Sequence, residues 1–300
     1  MPNAVVMTGY GTPDVLKWTE VALPEPGDGE IRIKVRAAGV GPTDLAIRAG
    51  HLRFPLPPDP VLGYEVAGLV DAVGPGVSGT RVGDAVAAVL FDRGGYAEYV
   101  VASIWTHKPD AVSWVDAAAL PSSVEAAAGV LRQLRVKRAE TLLVLGGGGS
   151  VGVIATQLAV ARGVRVVSAV GARDDGLAAG LGATPVRYGP GLVERVEALG
   201  PVDAVLDAAG KGALGDAVAL AGGPERVITL SDPTAGEFGV TLSGPSADRA
   251  PGSLDEGMAL LAEGRLTMKP RRPLPMRDAA EAHRLLESGE VRDRIVLTLD

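Results

Sequence analysis

The chain has 300 residues, of which 47% are hydrophobic and 22% charged, with a formal net charge of −7; that is material for two cores. No basic run or aromatic-basic interleaving is present, which argues against a nucleic-acid partner, and no apolar run approaches the ~20 residues of a membrane-spanning helix. Cysteine is absent, which excludes a disulfide, a thiolate nucleophile and a Cys-ligated zinc, and Met1-Pro-Asn-Ala does not open a secretory signal, so the chain reads as cytoplasmic.

The N-terminal part reads as β-structure. Residues 31–37 alternate strictly between apolar and polar, the signature of a half-buried strand. Residues 66–73 and 82–89 are two further strands, separated by the turn chemistry of Gly74-Pro-Gly-Val-Ser-Gly79, and residues 95–101 are another. Many short strands joined by Gly/Pro turns suggest a small barrel. Near Leu120-Pro121 the pattern changes to strand alternating with helix and keeps that form to about Gly264. Strands are expected at 142–145, 164–170, 202–207 and 226–230, with helices between them, for example at 191–199. Such alternation implies a doubly wound parallel sheet. Residues 278–288 read as a helix, and 295–299 as a closing strand. The domains expected are therefore 1–119 with 265–300, and 120–264. His51, His107 and His283 are far apart, show no metal-ligand spacing and read as surface or loop residues.

The strongest local signal is Thr141-Leu-Leu-Val-Leu-Gly-Gly-Gly-Gly-Ser-Val-Gly152. A short apolar run meets the glycines without a gap, and apolar residues then fall at Val151, Ile154, Ala155 and Leu158, at helical spacing. Gly147, Gly149 and Gly152 fit G-x-G-x-x-G. That pattern is weak alone in a chain with 41 glycines. It gains weight from the strand before it, the helix after it and a second strand at βαβ distance. Strand, glycine loop and helix make a dinucleotide-binding turn, in which a pyrophosphate sits on the helix N-terminus. Sites for NAD usually place an acid at the end of the second strand to hold the ribose 2′-hydroxyl. Here that end reads Ser168-Ala-Val-Gly-Ala-Arg173, with no carboxylate to repel a 2′-phosphate and a guanidinium able to hold one. This favours NADPH over NADH. Asp174 and Asp175, next in the chain, pull toward a reading of Arg173 as a solvated loop residue.

Further motifs are Ala38-Gly-Val-Gly-Pro-Thr-Asp-Leu-Ala-Ile-Arg-Ala-Gly50, Val61-Leu-Gly-Tyr-Glu-Val-Ala-Gly68, Gly79-Thr-Arg-Val-Gly-Asp-Ala-Val86, Gly94-Gly-Tyr-Ala-Glu-Tyr99 and Asp278-Ala-Ala-Glu-Ala-His-Arg-Leu-Leu-Glu-Ser-Gly289 with Asp293-Arg-Ile-Val-Leu297. With the glycine loop, these resemble the zinc-independent medium-chain dehydrogenases/reductases, and among them the quinone oxidoreductases related to zeta-crystallin, over nearly the whole chain. The resemblance implies an α/β chain made of a GroES-like β-barrel catalytic domain and an inserted Rossmann domain, with the active site in the cleft. It implies NADPH as cofactor, a small-molecule quinone or activated enone as substrate, and a homodimer formed through an edge strand at 238–243. Zinc-dependent cousins carry a Cys before Thr43-Asp44 and a His in Gly-His-Glu. This chain has Pro42 (or Gly41) and Tyr64 there, so no metal is expected.

The resemblance also assigns residues. Ser150 and Val151 match backbone contacts to the pyrophosphate. Ala172, Arg173 and Tyr188 match the 2′-phosphate pocket. Ala208 and Ala209 match the turn beneath the nicotinamide ribose, and Leu230 and Ser231 the loop beside the nicotinamide. Tyr64 is the candidate proton donor, with Thr43 and Asp44 beside it in the catalytic motif. Gly41 and Ala46 stand where the family usually has Asn and often Tyr, which implies a wider substrate cleft. Three readings follow: a reductase of quinones or activated enones, a pathway-specific reductase of a bulky enoyl or ketone substrate, and a non-catalytic NADPH-binding sensor.

Overall fold

The computed structural model describes every residue except Phe54, Arg93, Ala247 and Asp300. The chain forms two compact units, one of Met1–Ser122, Leu254–Arg265 and Pro270–Asp300, the other of Ser123–Ser253 and Leu266–Lys269. The helix Ser253–Ala262 therefore groups with the first unit from Leu254 onward, although its sequence continues the strand-helix alternation.

The first unit is built on the strand Ile31–Gly39. Its alternation buries Ile31, Ile33 and Val35, each at 2% exposure or less, and each such side chain contributes about 1.5–3 kcal/mol on leaving water. Glu65–Val73 pairs along one edge. The other edge is shared by Tyr99–Ala102, opposite Ile31 to Lys34, and Arg294–Thr298, opposite Ala37 to Gly39. Ala85–Val89 and Ile104–His107 extend the sheet on one side, and Arg271–Pro275 on the other. A hairpin of Asn3–Met7 and Leu16–Glu20 joins through bridges to Ala97 and Val61.

Two expected strands are shorter than the hydrophobic pattern suggests. The strand expected at 82–89 starts at Ala85, and Val82 is exposed. Asp84 accepts the Arg81 N–H and closes a turn that takes Val82 out of the ladder. The strand expected at 95–101 starts at Tyr99, because Gly95 and Tyr96 instead donate to Gly63 and Leu62. His283 corrects the surface reading: it lies fully buried in the helix Ala279–Ser288, on the apolar face with Ala279 and Ala282. Its Nε2 lies 3.4 Å from the Tyr96 hydroxyl, and burial, with Arg48 nearby, lowers its pKa to about 3.

In the second unit six parallel strands run in the order Thr184–Arg187, Arg165–Val170, Thr141–Leu145, Ala204–Asp207, Val227–Thr229, Thr241–Leu242 among the described residues. The central strands are buried along their whole length, as the unbroken apolar run 141–145 requires. The helix expected at 191–199 is Leu192–Glu197, since Gly191 takes a left-handed φ of 75° that ends helical backbone. The expected edge segment 238–243 supplies only Thr241–Leu242 as strand, at the outer edge of the sheet, with Phe238 and Leu242 exposed. The chain beyond it is pinned by Arg249, which forms a buried ion pair with Glu125 and donates to the Ser243 C=O and Oγ.

Candidate active site

The glycine loop of the second unit is a cradle defined by what cannot fit there. A Cβ on Gly147 would lie 1.7 Å from the Ser168 Oγ. One on Gly152 would lie 2.4 Å from the Gly146 carbonyl oxygen and 2.7 Å from the Gly147 Cα. The loop is therefore pressed onto the second strand and onto the first turn of the helix Ser150–Ala161. The first bond of that helix runs from the Val153 N–H to the Gly149 C=O. The N–H groups of Ser150, Val151 and Gly152 precede it, have no acceptor within the helix and carry its positive dipole end. Donors plus a side-chain-free approach fit a dinucleotide pyrophosphate.

Arg173 and Ala172 are exposed in the short 3₁₀ turn Ala172–Asp174 that follows the second strand. Tyr188 does not join them through its hydroxyl. Its ring packs on the core of the second unit, and the phenol oxygen is buried without a hydrogen-bond partner among the described residues. Burial first, then the charges of Asp207, Asp232 and Asp216, raise its pKa.

The loops after two other strands are held as one body. Asp207, fully buried, accepts the N–H groups of Ala209 (2.9 Å) and Gly210 (3.1 Å) on one carboxylate oxygen and the Thr229 hydroxyl (2.8 Å) on the other. The Thr229 Oγ1 in turn accepts the N–H of Ser231 (3.3 Å) and of Asp232 (3.1 Å). Asp232 accepts from Gly212 and twice from Thr234, and the Thr234 hydroxyl is the main cause holding its carboxyl below the usual range. Ala208, Ala209, Leu230 and Ser231 are thereby fixed together. The sequence marks these four but not the Asp207–Thr229 pair that sets them. Thr229→Val, nearly isosteric, leaves a buried carboxylate oxygen unsatisfied. It should lose about 1–3 kcal/mol in far-UV circular dichroism melts and weaken nicotinamide-nucleotide binding, whereas Thr229→Ser should keep both.

In the first unit the motif residues surround a buried ionic cluster. Gly41 and Pro42 open the helix Pro42–Ala49. Asp44, 2% exposed, accepts the N–H groups of Gly41 (2.8 Å) and Gly63 (3.0 Å), tying two loops together. Burial raises its pKa to about 6, against the pull of those bonds and of Arg294. Glu65, 1% exposed, forms an ion pair with Arg294 and accepts both the N–H (2.9 Å) and the hydroxyl (2.7 Å) of Ser122. Thr43 is exposed in the first helical turn, Ala46 is half-buried, and the half-buried Tyr64 packs on the core beside Glu65. Gly41 is buried, and a Cβ there would meet Arg294 at 3.4 Å and Asp44 at 3.5 Å. The space a side chain at 41 would enter is thus bordered by the cluster. Among the described residues, no three His, Asp or Glu side chains converge to hold a metal.

Comparison with known proteins places this architecture. A model of the alcohol dehydrogenase GroES-like domain matches residues 27–110, and one of zinc-binding dehydrogenases matches residues 181–297. A 2-methylene-furan-3-one reductase of Solanum lycopersicum is 32% identical over 97% of this chain and 77% of its own length. The chain belongs to the medium-chain dehydrogenase/reductase family. The quinone oxidoreductase of Sus scrofa is 38% identical over 57% of this chain, a match that spans 54%, about half, of that protein. Among solved structures, the quinone oxidoreductase of Coxiella burnetii has a TM-score of 0.86 at 28% identity, covering 100% of this chain and 99% of that one. A mycobacterial member solved with NADPH has a TM-score of 0.82 at 31% identity, with full coverage of both chains. No helix among the described residues of this family member is long and apolar enough to cross a membrane.

Proposed function

We propose that this chain is a zinc-independent, NADPH-dependent reductase of quinones or activated enones. The observation that carries the reading is the glycine cradle over Ser168, opening onto free helix N–H groups, with Arg173 just past the second strand. Relatives named quinone oxidoreductase and 2-methylene-furan-3-one reductase, and a neighbour solved with NADPH, support it. When bound, NADPH supplies a hydride for an electron-poor carbon of the substrate.

The chain's own residues then have separate tasks. Ser150, Val151 and Gly152 N–H groups hold the pyrophosphate, with Gly147 and Gly149 giving the backbone its close approach. Arg173, with Ala172 and Tyr188 nearby in sequence pattern, receives the 2′-phosphate. Ala208, Ala209, Leu230 and Ser231 border the nicotinamide end, fixed by Asp207 and Thr229. Tyr64 donates the proton that completes reduction. Asp44 acts as a positioning residue, since its oxygens are committed to Gly41 and Gly63. Zinc-free chemistry is supported by Pro42 and Tyr64 at the ligand positions of the cousins and by the commitment of Asp44 and Glu65 to hydrogen bonds. A cytoplasmic homodimer joined at the exposed edge Thr241–Leu242 completes the proposal, as an unpaired apolar edge otherwise invites aggregation.

The test is NADPH oxidation against a panel of quinones and of small and bulky enones, with NADH in parallel and a chelator in a further arm. Turnover that favours NADPH and survives the chelator is expected. Tyr64→Phe should lower kcat by about 10²-fold with little change in the KM for NADPH. Turnover confined to bulky acceptors would select the pathway-specific reading. Tight NADPH binding with no turnover across the panel would overturn the reductase in favour of a sensor.

A further inference from the structure

The peptide that bears Tyr64 is held by groups remote from it in sequence. The Gly63 N–H donates to the Asp44 carboxylate at 3.0 Å, the Gly63 C=O accepts from Gly95 at 3.1 Å, and the Tyr64 C=O accepts from Leu90 at 2.7 Å. Gly63 also lies against the ring of Tyr96. A Cβ on Gly63 would stand 2.7 Å from the Tyr96 Cδ1 and 2.9 Å from the Gly95 Cα, and its φ of +104° is a second reason for glycine there. The Tyr96 N–H donates in turn to the Leu62 C=O at 2.9 Å. Ring and main chain of one residue thus hold the segment 62–64.

Tyr96 is fully buried, and its ring has a partner of its own. His283 stands edge-on to it, with ring centroids 6.0 Å apart and planes at 90°, and the His283 Nε2 lies 3.4 Å from the Tyr96 hydroxyl. His283 stays neutral, so it carries a single ring N–H. Its Nδ1 is buried without a partner among the described residues. An orphaned buried N–H is rarer than an orphaned acceptor, so the proton belongs on Nε2 and is donated to the Tyr96 oxygen. The Tyr96 O–H then donates to Asp44, and burial followed by the Asp44 charge holds that phenol well above its usual range. The chain of donors runs from His283 through Tyr96 to the carboxylate that holds Gly63.

Resting on the reading of Tyr64 as proton donor, we infer that Tyr96, locked by His283, is a positioning residue for the reduction. It acts through Gly63 and Asp44, the partners it shares with the Tyr64 peptide. Proton transfer needs the donor within hydrogen-bond reach of its acceptor, and a displacement of ~1 Å at a reacting group can cost about 10²-fold in rate. Tyr96→Phe keeps the ring against Gly63 but cuts its links to His283 and to Asp44, so the Tyr64 peptide is held less closely.

The experiment measures kcat and the KM for NADPH with the best acceptor of the panel above, per NADPH-binding site counted by fluorescence titration, alongside far-UV circular dichroism melts. Tyr96→Phe should lower kcat about tenfold, with the KM for NADPH unchanged within about twofold. It should also lower Tm by about 3 °C, because the His283 N–H is stranded. His283→Leu removes that stranded donor, so Tyr96→Phe with His283→Leu should recover the Tm and leave kcat low. Recovery of both would mean a purely structural role and overturns the inference. In a Tyr64→Phe background Tyr96→Phe should cost kcat nothing further, since residues that act through one group are non-additive. A further loss of about tenfold there, or a kcat for Tyr96→Phe alone within about twofold of the unmodified chain, also overturns it. Full turnover by Tyr64→Phe overturns the donor reading and the inference with it, and no turnover by the unmodified chain overturns the reductase reading on which both stand. If Tyr96→Phe does not fold, His283→Leu alone decides: a several-fold drop in kcat that vanishes in the Tyr64→Phe background is expected, and no drop overturns the inference.

Discussion

Gly152→Ala is expected to abolish nucleotide binding while leaving the first unit folded. The added methyl would meet the Gly146 oxygen at 2.4 Å, the Gly147 Cα at 2.7 Å and the Gly146 carbonyl carbon at 3.1 Å, all of them backbone. No side-chain rotation relieves that clash, so the loop must lift off the helix. A loop displaced from its N–H donors should cost at least about 100-fold in the NADPH dissociation constant, close to 3 kcal/mol. Gly147→Ala makes a different kind of clash, 1.7 Å from the Ser168 Oγ and then no closer than 3.1 Å to anything else. The Ser168 Oγ is buried and has no hydrogen-bond partner among the described residues, so its removal leaves no acceptor or donor stranded. Gly147→Ala with Ser168→Ala should therefore recover most of the binding that Gly147→Ala loses, while Ser168→Ala should do nothing for Gly152→Ala. NADPH fluorescence titration of the set checks this. Near-normal affinity in Gly152→Ala would show that the pyrophosphate does not use this loop.

These contrasts mark what could be read from the residues. The glycine loop was legible because its signal is local: an apolar run, glycines without a gap and a helical repeat lie in one stretch of chain. The parallel sheet was legible for the same reason, since strands buried on both faces are unbroken apolar runs. What escaped is set by partners far away in sequence. Nothing around Ser168 shows that it will sit under Gly147. Thr229 looks like an ordinary strand residue until the fold brings it to Asp207. His283 reads as polar and exposed, and is buried because the helix 279–288 turns that face onto Tyr96. Val82 fits a strand pattern and lies in a turn because Asp84 closes it. Gly41 shows the same limit at the site. Loss of a polar side chain there suggests open space, whereas its neighbours in that direction are Arg294 and Asp44.

That cluster sets the second large effect. Glu65→Ala should destabilise the first unit by about 3–5 kcal/mol, because it leaves the Arg294 guanidinium buried without its partner. The loss takes a large share of the ~5–15 kcal/mol that holds a typical domain together. Glu65 also accepts the N–H and hydroxyl of Ser122, so three donors are stranded at once. Its place was made by Gly39, where a Cβ would lie 2.0 Å from the Glu65 Oε1. The pair is thus built into the backbone path and not merely laid on it. A buried ion pair is nonetheless weak grounds for net stabilisation, since desolvation offsets much of the attraction. Replacing both partners, as Glu65→Met with Arg294→Leu, should accordingly cost far less than Glu65→Ala alone. Urea unfolding followed by tryptophan fluorescence isolates the effect, because Trp18, Trp105 and Trp114, all the tryptophans of the chain, lie in the first unit. A loss below about 1 kcal/mol for Glu65→Ala would mean that water reaches Arg294 in its place. A double variant as unstable as the single one would mean that the packing around Ser122 and Gly39, and not the charge pair, carries the loss.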